Sequence, residues 1–207
     1  MSRDGTEVSN GEVLRSDDLA VVRATAIDGV LVVEPRVFSD DRGCFVETFR
    51  REWVPAGREM LQSNRADRIA GSLVGFHYHL HQADYWYVPS GLARVVLHDL
   101  RTDGPTDGVT IALDLGSAPG GEPDHRGVYI PPGVAHGFAA LSDVTITYLV
   151  DGYYNPADEL GVAWDDPEIG ADWGVSAPVL SERDRSNPRR SDLPSDRRPH
   201  ARLRSGS

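Results

Sequence analysis

The chain has 207 residues, of which 40% are hydrophobic, and a formal net charge of −11 at neutral pH. This length fits one domain with a substantial core, and the acidic balance argues against a general nucleic-acid-binding protein. All 21 fixed cations are arginines, because the sequence contains no lysine. A Schiff-base lysine and a phosphate-loop lysine are therefore excluded.

The single cysteine and the hydropathy pattern further narrow the class of protein. Cys44 is the single cysteine, which excludes an internal disulfide and a thiolate-rich zinc site. The sequence has neither an apolar run of about 18 residues, which a membrane helix needs, nor a charged-then-apolar leader. We therefore expect a cytoplasmic protein that binds neither membranes nor nucleic acid.

Short strands separated by turn residues dominate the predicted secondary structure. Residues 1–20 are polar and are predicted to form a flexible extension, and residues 186–207, rich in Arg, Ser, Pro and Asp, a disordered tail. The domain between them, residues 21–185, has a possible short helix in 50–61, limited by Pro55 and Gly57. Strands are expected within 27–37, 45–49, 84–89, 92–100, 109–115, 129–138 and 144–150. This spacing indicates an all-β sandwich or barrel.

Two histidines stand two residues apart in an apolar, aromatic run. In a strand, residues i and i+2 point to the same face, so His77 and His79 are expected to enter one cavity. A further histidine, His136, follows the turn signal Pro131-Pro-Gly133. We predict that these side chains line the mouth of a small β-barrel.

The sequence contains a series of short motifs in a fixed order. They are Phe38-x3-Arg42-Gly43-x-Phe45-x-Glu47, Gln62-x-Asn64, Gly71-x-Leu73-x-Gly75-x-His77-Tyr78, Asp99-Leu100-Arg101, Ile130-Pro131-x-Gly133-x-Ala135-His136-Gly137-Phe138, Tyr148, Tyr154-x-Pro156-x2-Glu159 and Asp166-Pro167. Together they resemble the dTDP-4-dehydrorhamnose 3,5-epimerase family from about residue 27 to 187. The resemblance implies an all-β cupin double-stranded β-helix, or jelly-roll barrel, with short peripheral helices. It also implies a homodimer without a cofactor that epimerises a dTDP-4-keto-6-deoxy sugar at C3, C5 or both, in deoxysugar or rhamnose biosynthesis.

The resemblance assigns roles to individual residues. It implies that His77 removes the proton beside the C4 ketone, that Asp166 orients this imidazole, and that Tyr148 returns a proton on the opposite face. An imidazole suits the role of base because its reference pKa of about 6.5 lies close to working pH. The residues implied to bind nucleotide, phosphate or sugar are Arg42, Glu47, Gln62, Asn64 and His136.

The sequence departs from the family pattern close to the presumed base. Val74 stands where the family usually has arginine, and Asp84 stands where it has lysine. A lysine at that position would stabilise a developing enolate, whereas a carboxylate opposes it. In addition, His79 replaces an expected glutamine.

These departures leave two alternatives open. The spacing of His77, His79, Asp84 and His136 is similar to that of metal-dependent cupins, and three imidazoles with a carboxylate suit a divalent metal ion. A metal-dependent isomerase, epimerase or oxygenase is therefore the first alternative. A sugar-nucleotide-binding relative without turnover is the second, since fold does not fix function.

Overall fold

The computed structural model describes residues 11–201, and strands dominate it. Short helical segments are limited to one α-helix, α1 (Glu182–Ser186), and 3₁₀ turns at Arg51–Trp53, Arg190–Asp192 and Ser195–Arg197 within these residues. None of these helices is long and apolar enough to cross a membrane. The strands are β1 (Val13–Ser16), β2 (Ala20–Ala24), β3 (Leu31–Pro35), β4 (Val37–Asp40), β5 (Gly43–Val46), β6 (Gln62–Arg68), β7 (Leu73–Tyr78), β8 (Asp84–Ser90), β9 (Leu92–Asp99), β10 (Thr110–Gly116), β11 (Gly127–Ile130), β12 (Val134–Ala140), β13 (Val144–Val150) and β14 (Leu160–Gly161).

The strands form two facing antiparallel sheets and a separate hairpin. The larger sheet has seven strands in the order β1-β2-β3-β11-β8-β13-β6, and the smaller has five in the order β10-β9-β12-β7-β14. Strands β4 and β5 pair only with each other in the described part of the chain. This arrangement is the jelly-roll barrel expected from the sequence.

The main core lies between the two sheets. Alternation along β9 sends Val95 and Leu97 into this core and Val96 to the outer face of the smaller sheet. Trp86 of β8 and Phe138 of β12 meet edge to face across the barrel, with ring centroids 5.9 Å apart. Burial of each such aliphatic or aromatic side chain stabilises the fold by about 1.5–3 kcal/mol, so these contacts hold the sheets together.

The C-terminal segment packs on the outer face of the smaller sheet, which corrects the prediction of a disordered tail over 186–201. Leu193 is 4% exposed and joins a second apolar cluster with Tyr78 and Trp173. The backbone N–H of Thr102 donates to Pro199 O, and the Tyr78 hydroxyl donates to Arg197 O. Backbone hydrogen bonds and one buried leucine thus order a segment whose composition is polar. Residues 202–207 lie outside the described range.

Other elements differ from the sequence-based prediction in informative ways. Part of the predicted extension forms β1, which pairs with β2, whereas residues 1–10 lie outside the described range. The helix expected in 50–61 is one 3₁₀ turn, Arg51–Trp53, because Val54 is extended and residues 55–57 carry Pro and Gly. The strand expected over 129–138 is two strands, because Gly133, with φ +82°, turns the chain between β11 and β12. The strands predicted around 84–89, 92–100, 109–115 and 144–150 are confirmed.

Candidate active site

A cavity of about 360 Å³ lies between the sheets and is the candidate active site. Its walls carry apolar, aromatic and titratable side chains, the mixture typical of a small-molecule site. The larger sheet contributes residues of β6, β8 and β13, and the smaller sheet contributes residues of β7 and β12. The lining residues are Gln62, Asn64, Ala66, Arg68, Val74, His77, His79, Gln82, Asp84, Trp86, His136, Phe138, Ile146, Tyr148, Val150, Tyr154 and Glu159.

An irregularity in β7 brings the first histidine to the cavity. The register against β12 shifts so that His136 faces His77 while Phe138 faces Val74, and both Val74 and His77 line the cavity. Gly75 has φ +119°, and a Cβ on it would stand 2.7 Å from Gly137 Cα. Only glycine fits this backbone without strain. His79 follows two residues after His77 and also lines the cavity, as alternation predicts.

His77 pairs with a carboxylate from the C-terminal segment. Its Nε2 lies 2.7 Å from Oδ1 of Asp184, which is 4% exposed at its side chain. Because an ionised carboxylate only accepts hydrogen bonds, Nε2 carries the hydrogen and Nδ1 keeps its lone pair. This is the orientation in which a carboxylate supports an imidazole base.

Asp184 is itself held firmly at the start of α1. Its backbone N–H donates to Ser181 Oγ, and the Ser181 hydroxyl donates to Asp184 Oδ2 at 2.9 Å. Burial alone would raise the pKa of this carboxyl. The hydrogen bond and charge of His77, with hydrogen bonds from Ser181 and the Gly75 backbone, outweigh burial and lower the pKa. The carboxylate is therefore ionised at neutral pH.

Asp166, which the resemblance suggested as the partner of His77, has another role. It is 2% exposed, and its carboxylate accepts hydrogen bonds from the backbone N–H groups of Glu168 and Arg190. It thus fixes a turn and anchors the C-terminal segment. The partner of His77 is Asp184, so the suggested pairing with Asp166 is wrong.

Tyr148 faces the cavity from the opposite sheet. It lies on β13, paired in register with Asn64 of β6 and Trp86 of β8, whereas His77 lies on β7 of the smaller sheet. Burial raises the pKa of Tyr148, and the nearby Asp84 and Glu159 carboxylates raise it further. The phenol is therefore protonated at neutral pH and can donate a proton into the cavity.

Strand β6 supplies a row of polar side chains that the sequence only partly revealed. Gln62, Asn64, Ala66 and Arg68 alternate with outward residues and all line the cavity. Gln62 and Asn64 are implied by the resemblance to bind substrate, and that role stays a prediction; the Gln62 amide donates to Asn64 Oδ1 at 2.8 Å. Arg68 was not anticipated, although two more steps of the same alternation lead to it. Among the described residues, it is the one arginine that lines the cavity.

Arg42 and Glu47 do not line this cavity, so their implied roles in substrate binding stay predictions. The Arg42 side chain is 89% exposed at the tip of the β4–β5 hairpin and pairs with Asp40. Glu47 follows β5 and pairs with Arg50. The Gly43 turn that projects this hairpin from the barrel explains the separation.

His79, Asp84 and His136 form a compact buried cluster on the cavity wall. Nε2 of His79 lies 3.9 Å from Oδ1 of Asp84, and Nε2 of His136 lies 4.0 Å from Oδ2. Candidate ligand atoms of the three residues all lie within 4.8 Å of one another. Burial lowers the pKa of His136, although the Asp84 carboxylate opposes this effect. His77 stands outside the cluster, so the four-residue metal set suggested by the sequence is reduced to three.

The two sheets and the enclosed polar cavity define a cupin-type jelly-roll enzyme. The family model described as dTDP-4-dehydrorhamnose 3,5-epimerase matches residues 24–192. The chain therefore belongs to the dTDP-4-dehydrorhamnose 3,5-epimerase family, and it is an enzyme of the sugar-nucleotide epimerase class.

Individual relatives agree with this assignment. The dTDP-4-dehydrorhamnose 3,5-epimerase of Shigella flexneri is 34% identical over 172 residues, which cover 77% of this chain and 90% of that protein. NovW, a 4-keto-6-deoxy sugar epimerase from Streptomyces spheroides, superposes with a TM-score of 0.79 at 30% identity, covering 93% and 98% of the two chains. RmlC of Legionella pneumophila Philadelphia 1, in complex with dTDP-4-keto-L-rhamnose, gives a TM-score of 0.78 at 28% identity, covering 86% and 97%.

Proposed function

We propose that the protein epimerises a dTDP-4-keto-6-deoxy sugar at C3, C5 or both, in deoxysugar or rhamnose biosynthesis. The observation that carries the proposal is the His77–Asp184 pair on one wall of a cavity whose opposite wall carries Tyr148. The ligand named for the Legionella relative supports the substrate class. A base and an acid on opposite walls provide what inversion at one carbon requires.

In the proposed reaction, one proton transfer takes place at each wall of the cavity. His77 Nδ1 takes the proton from the carbon beside the ketone, and the C–H electron pair moves to the keto oxygen as an enolate. Asp184 stabilises the imidazolium that forms. Tyr148 donates its phenolic proton to the other face of the same carbon as the enolate collapses to the ketone. Solvent then restores the proton on Tyr148 and removes the one on His77.

Arg68 is proposed to bind the diphosphate. It lies at the end of β6 opposite Val144, whereas Gln62 at the other end lies opposite Val150. At about 3.3 Å per residue, six residues separate the two ends of this row by about 20 Å. Arginine binds phosphate oxygens through paired N–H donors. In this proposal the sugar lies between His77 and Tyr148 and its diphosphate points to Arg68. Arg68 would then serve in place of the arginine that the resemblance leads us to expect at position 74.

The β4–β5 hairpin supports the homodimer expected from the resemblance. Phe38 and Phe45 on this hairpin are 40% and 63% exposed, and Val37 is 41% exposed. A second copy that covers these apolar side chains would bury them and place the neighbouring Arg42 against the partner. In this proposal Arg42 and Glu47 bind substrate in the partner's cavity. Phe45→Ser is expected to convert a dimer into a monomer, which light scattering would measure.

The cytoplasmic location expected from the sequence stays a prediction.

Solvent deuterium tests the chemistry directly. The protein is incubated with dTDP-4-keto-6-deoxyglucose in deuterated water, and mass spectrometry with NMR counts the deuterium at C3 and C5. The expected result is one deuterium at each epimerised carbon with wild-type protein and none with His77→Ala. His81→Gln, which alters an exposed histidine close by, serves as the control and keeps full exchange. Exchange that survives His77→Ala would contradict the proposal.

A further inference from the structure

The proposed proton transfers give no role to the buried cluster of His79, Asp84 and His136. His79, Asp84 and His136 are 5%, 3% and 4% exposed, and all three line the cavity. Buried titratable groups need partners that satisfy their charge and hydrogen bonds. Asp84, a buried carboxylate that faces two imidazole nitrogens, therefore favours a positive charge beside it.

Hydrogen bonds to backbone carbonyls determine which ring nitrogen carries the hydrogen in both imidazoles. Nδ1 of His79 lies 2.8 Å from Asp158 O, and Nδ1 of His136 lies 2.9 Å from Val134 O. A carbonyl oxygen only accepts, so each Nδ1 carries the hydrogen. In the neutral rings the lone pairs therefore sit on the Nε2 atoms, which are the atoms that face Asp84.

The carboxylate is held in place by groups that leave its cavity side available. The Gln82 amide donates to Asp84 Oδ1 and the Trp86 indole N–H donates to Oδ2, both at 3.0 Å. Donors of this kind, like the carbonyls behind the two histidines, are the outer partners that orient metal ligands. Two nitrogen lone pairs and a carboxylate thus lie close together, and such a set of donors attracts a cation.

We propose that His79, Asp84 and His136 form a binding site for one divalent transition-metal ion. Two imidazoles and one carboxylate suit Zn(II), Fe(II), Mn(II), Co(II) or Ni(II). One candidate ligand atom from each residue lies within 4.8 Å of the other two, so an ion at their centre would lie within about 2.8 Å of each. Inward movements of about half an ångström would then give the bonds of about 2.0–2.2 Å that such ligands form.

The position of the site would allow a bound ion to contact the substrate in the proposed reaction. His136 lies directly opposite His77 on the neighbouring strand, so an open coordination position would face the same cavity. If the proposed function holds, an oxygen of the substrate beside the reacting carbon occupies that position. The ion would then stabilise the enolate, whose charge the Asp84 carboxylate alone would oppose.

Cobalt(II) is the probe for the site, because its visible spectrum reports coordination directly. The full-length protein is stripped with chelator and titrated with CoCl₂, and both absorption and calorimetry are followed. One equivalent is expected to bind with a visible absorption band and to raise the unfolding temperature. His79→Gln and Asp84→Asn are each expected to weaken binding by more than the roughly 10–100-fold that loss of an outer partner causes.

Two control variants separate this site from the proposed function. His81→Gln, at an exposed histidine two residues from His79, is expected to bind Co(II) as the wild type does. His77→Ala is also expected to keep Co(II) binding while it loses deuterium exchange. Absence of binding to the wild type, or equal binding to wild type, His79→Gln and Asp84→Asn, overturns the metal site. Because exchange by the wild type is measured separately, failure of the metal site and failure of the epimerase proposal are distinguishable.

Discussion

Nε2 of His77 lies 2.7 Å from Oδ1 of Asp184, a residue 107 positions later in the chain. The short distance joins a strand of the smaller sheet to helix α1 of the C-terminal segment. The geometry of the active site therefore depends on the packing of that segment against β7. In chemical terms, the carboxylate selects the tautomer that leaves Nδ1 free to act as base.

Asp184→Asn is expected to lower kcat by about 10²–10⁴-fold, with a much smaller change in KM. The amide keeps the shape of the carboxylate but no longer stabilises an imidazolium or enforces the tautomer. Steady-state kinetics with the dTDP-4-keto sugar measure the effect, and circular dichroism with thermal melting checks the fold.

Asp166→Asn is the matched control for that variant. Asp166 accepts from backbone N–H groups and does not contact His77. Its loss should lower the unfolding temperature while kcat changes by less than about tenfold. A greater loss of kcat in Asp166→Asn than in Asp184→Asn would reverse our assignment of the orienting carboxylate.

Tyr148→Phe is expected to separate proton removal from inversion. His77 can still remove the proton and return deuterium to the same face, but the phenol that donates from the opposite wall is gone. The substrate should therefore gain deuterium in deuterated water without change of configuration, which NMR coupling constants report. Complete loss of exchange together with normal folding would mean that Tyr148 serves in proton removal itself.

Arg68→Gln is expected to raise KM by about 10–100-fold with a smaller effect on kcat. The estimate follows from the roughly 1.5–3 kcal/mol that a hydrogen bond to a charged group contributes. Arg65→Gln is the matched control, because Arg65 lies on the same strand but pairs with Asp67 at the surface. Adding Val74→Arg to Arg68→Gln should recover part of the lost affinity, since position 74 also lines the cavity. An unchanged KM in Arg68→Gln would exclude contact with the diphosphate.

The strands and the cavity walls followed from local sequence patterns. Alternation is a property of neighbouring residues, so the sequence alone predicts that His77 and His79 enter one cavity. Gly75 is the exception that the pattern could not reveal. The register shift beside it depends on the close approach of Gly137 from another strand.

The orienting carboxylate was missed because its role depends on tertiary packing. Asp184 lies in a polar stretch, and only the turn at Ser181 and the packing of residues up to 201 bring it to His77. The position of Arg42 outside the cavity could not be predicted for a related reason, since the sequence shows a turn but not where the hairpin lies relative to the barrel. Local propensity does not encode either long-range placement.

His98 is expected to make stability depend on pH between about 6.5 and 4. Burial, and then the Arg190 charge, lower its pKa to about 4, against the Asp99 and Asp166 carboxylates. The Thr110 hydroxyl donates to Ile169 O, so it accepts from Nδ1 of His98, and Nε2 has no partner among the described residues.

Protonation of this ring would therefore bury a charge and an unsatisfied N–H. The unfolded state binds a proton below about pH 6.5 and the folded state only near 4, so the contribution is present above 6.5 and lost as pH falls through that window. Its size is up to about 3 kcal/mol. His98→Asn keeps a donor for Thr110 but does not titrate. In urea unfolding, the stability advantage of wild type over His98→Asn should shrink by about that amount from pH 7 to pH 4. A constant difference across this range would show that His98 takes up its proton equally in both states.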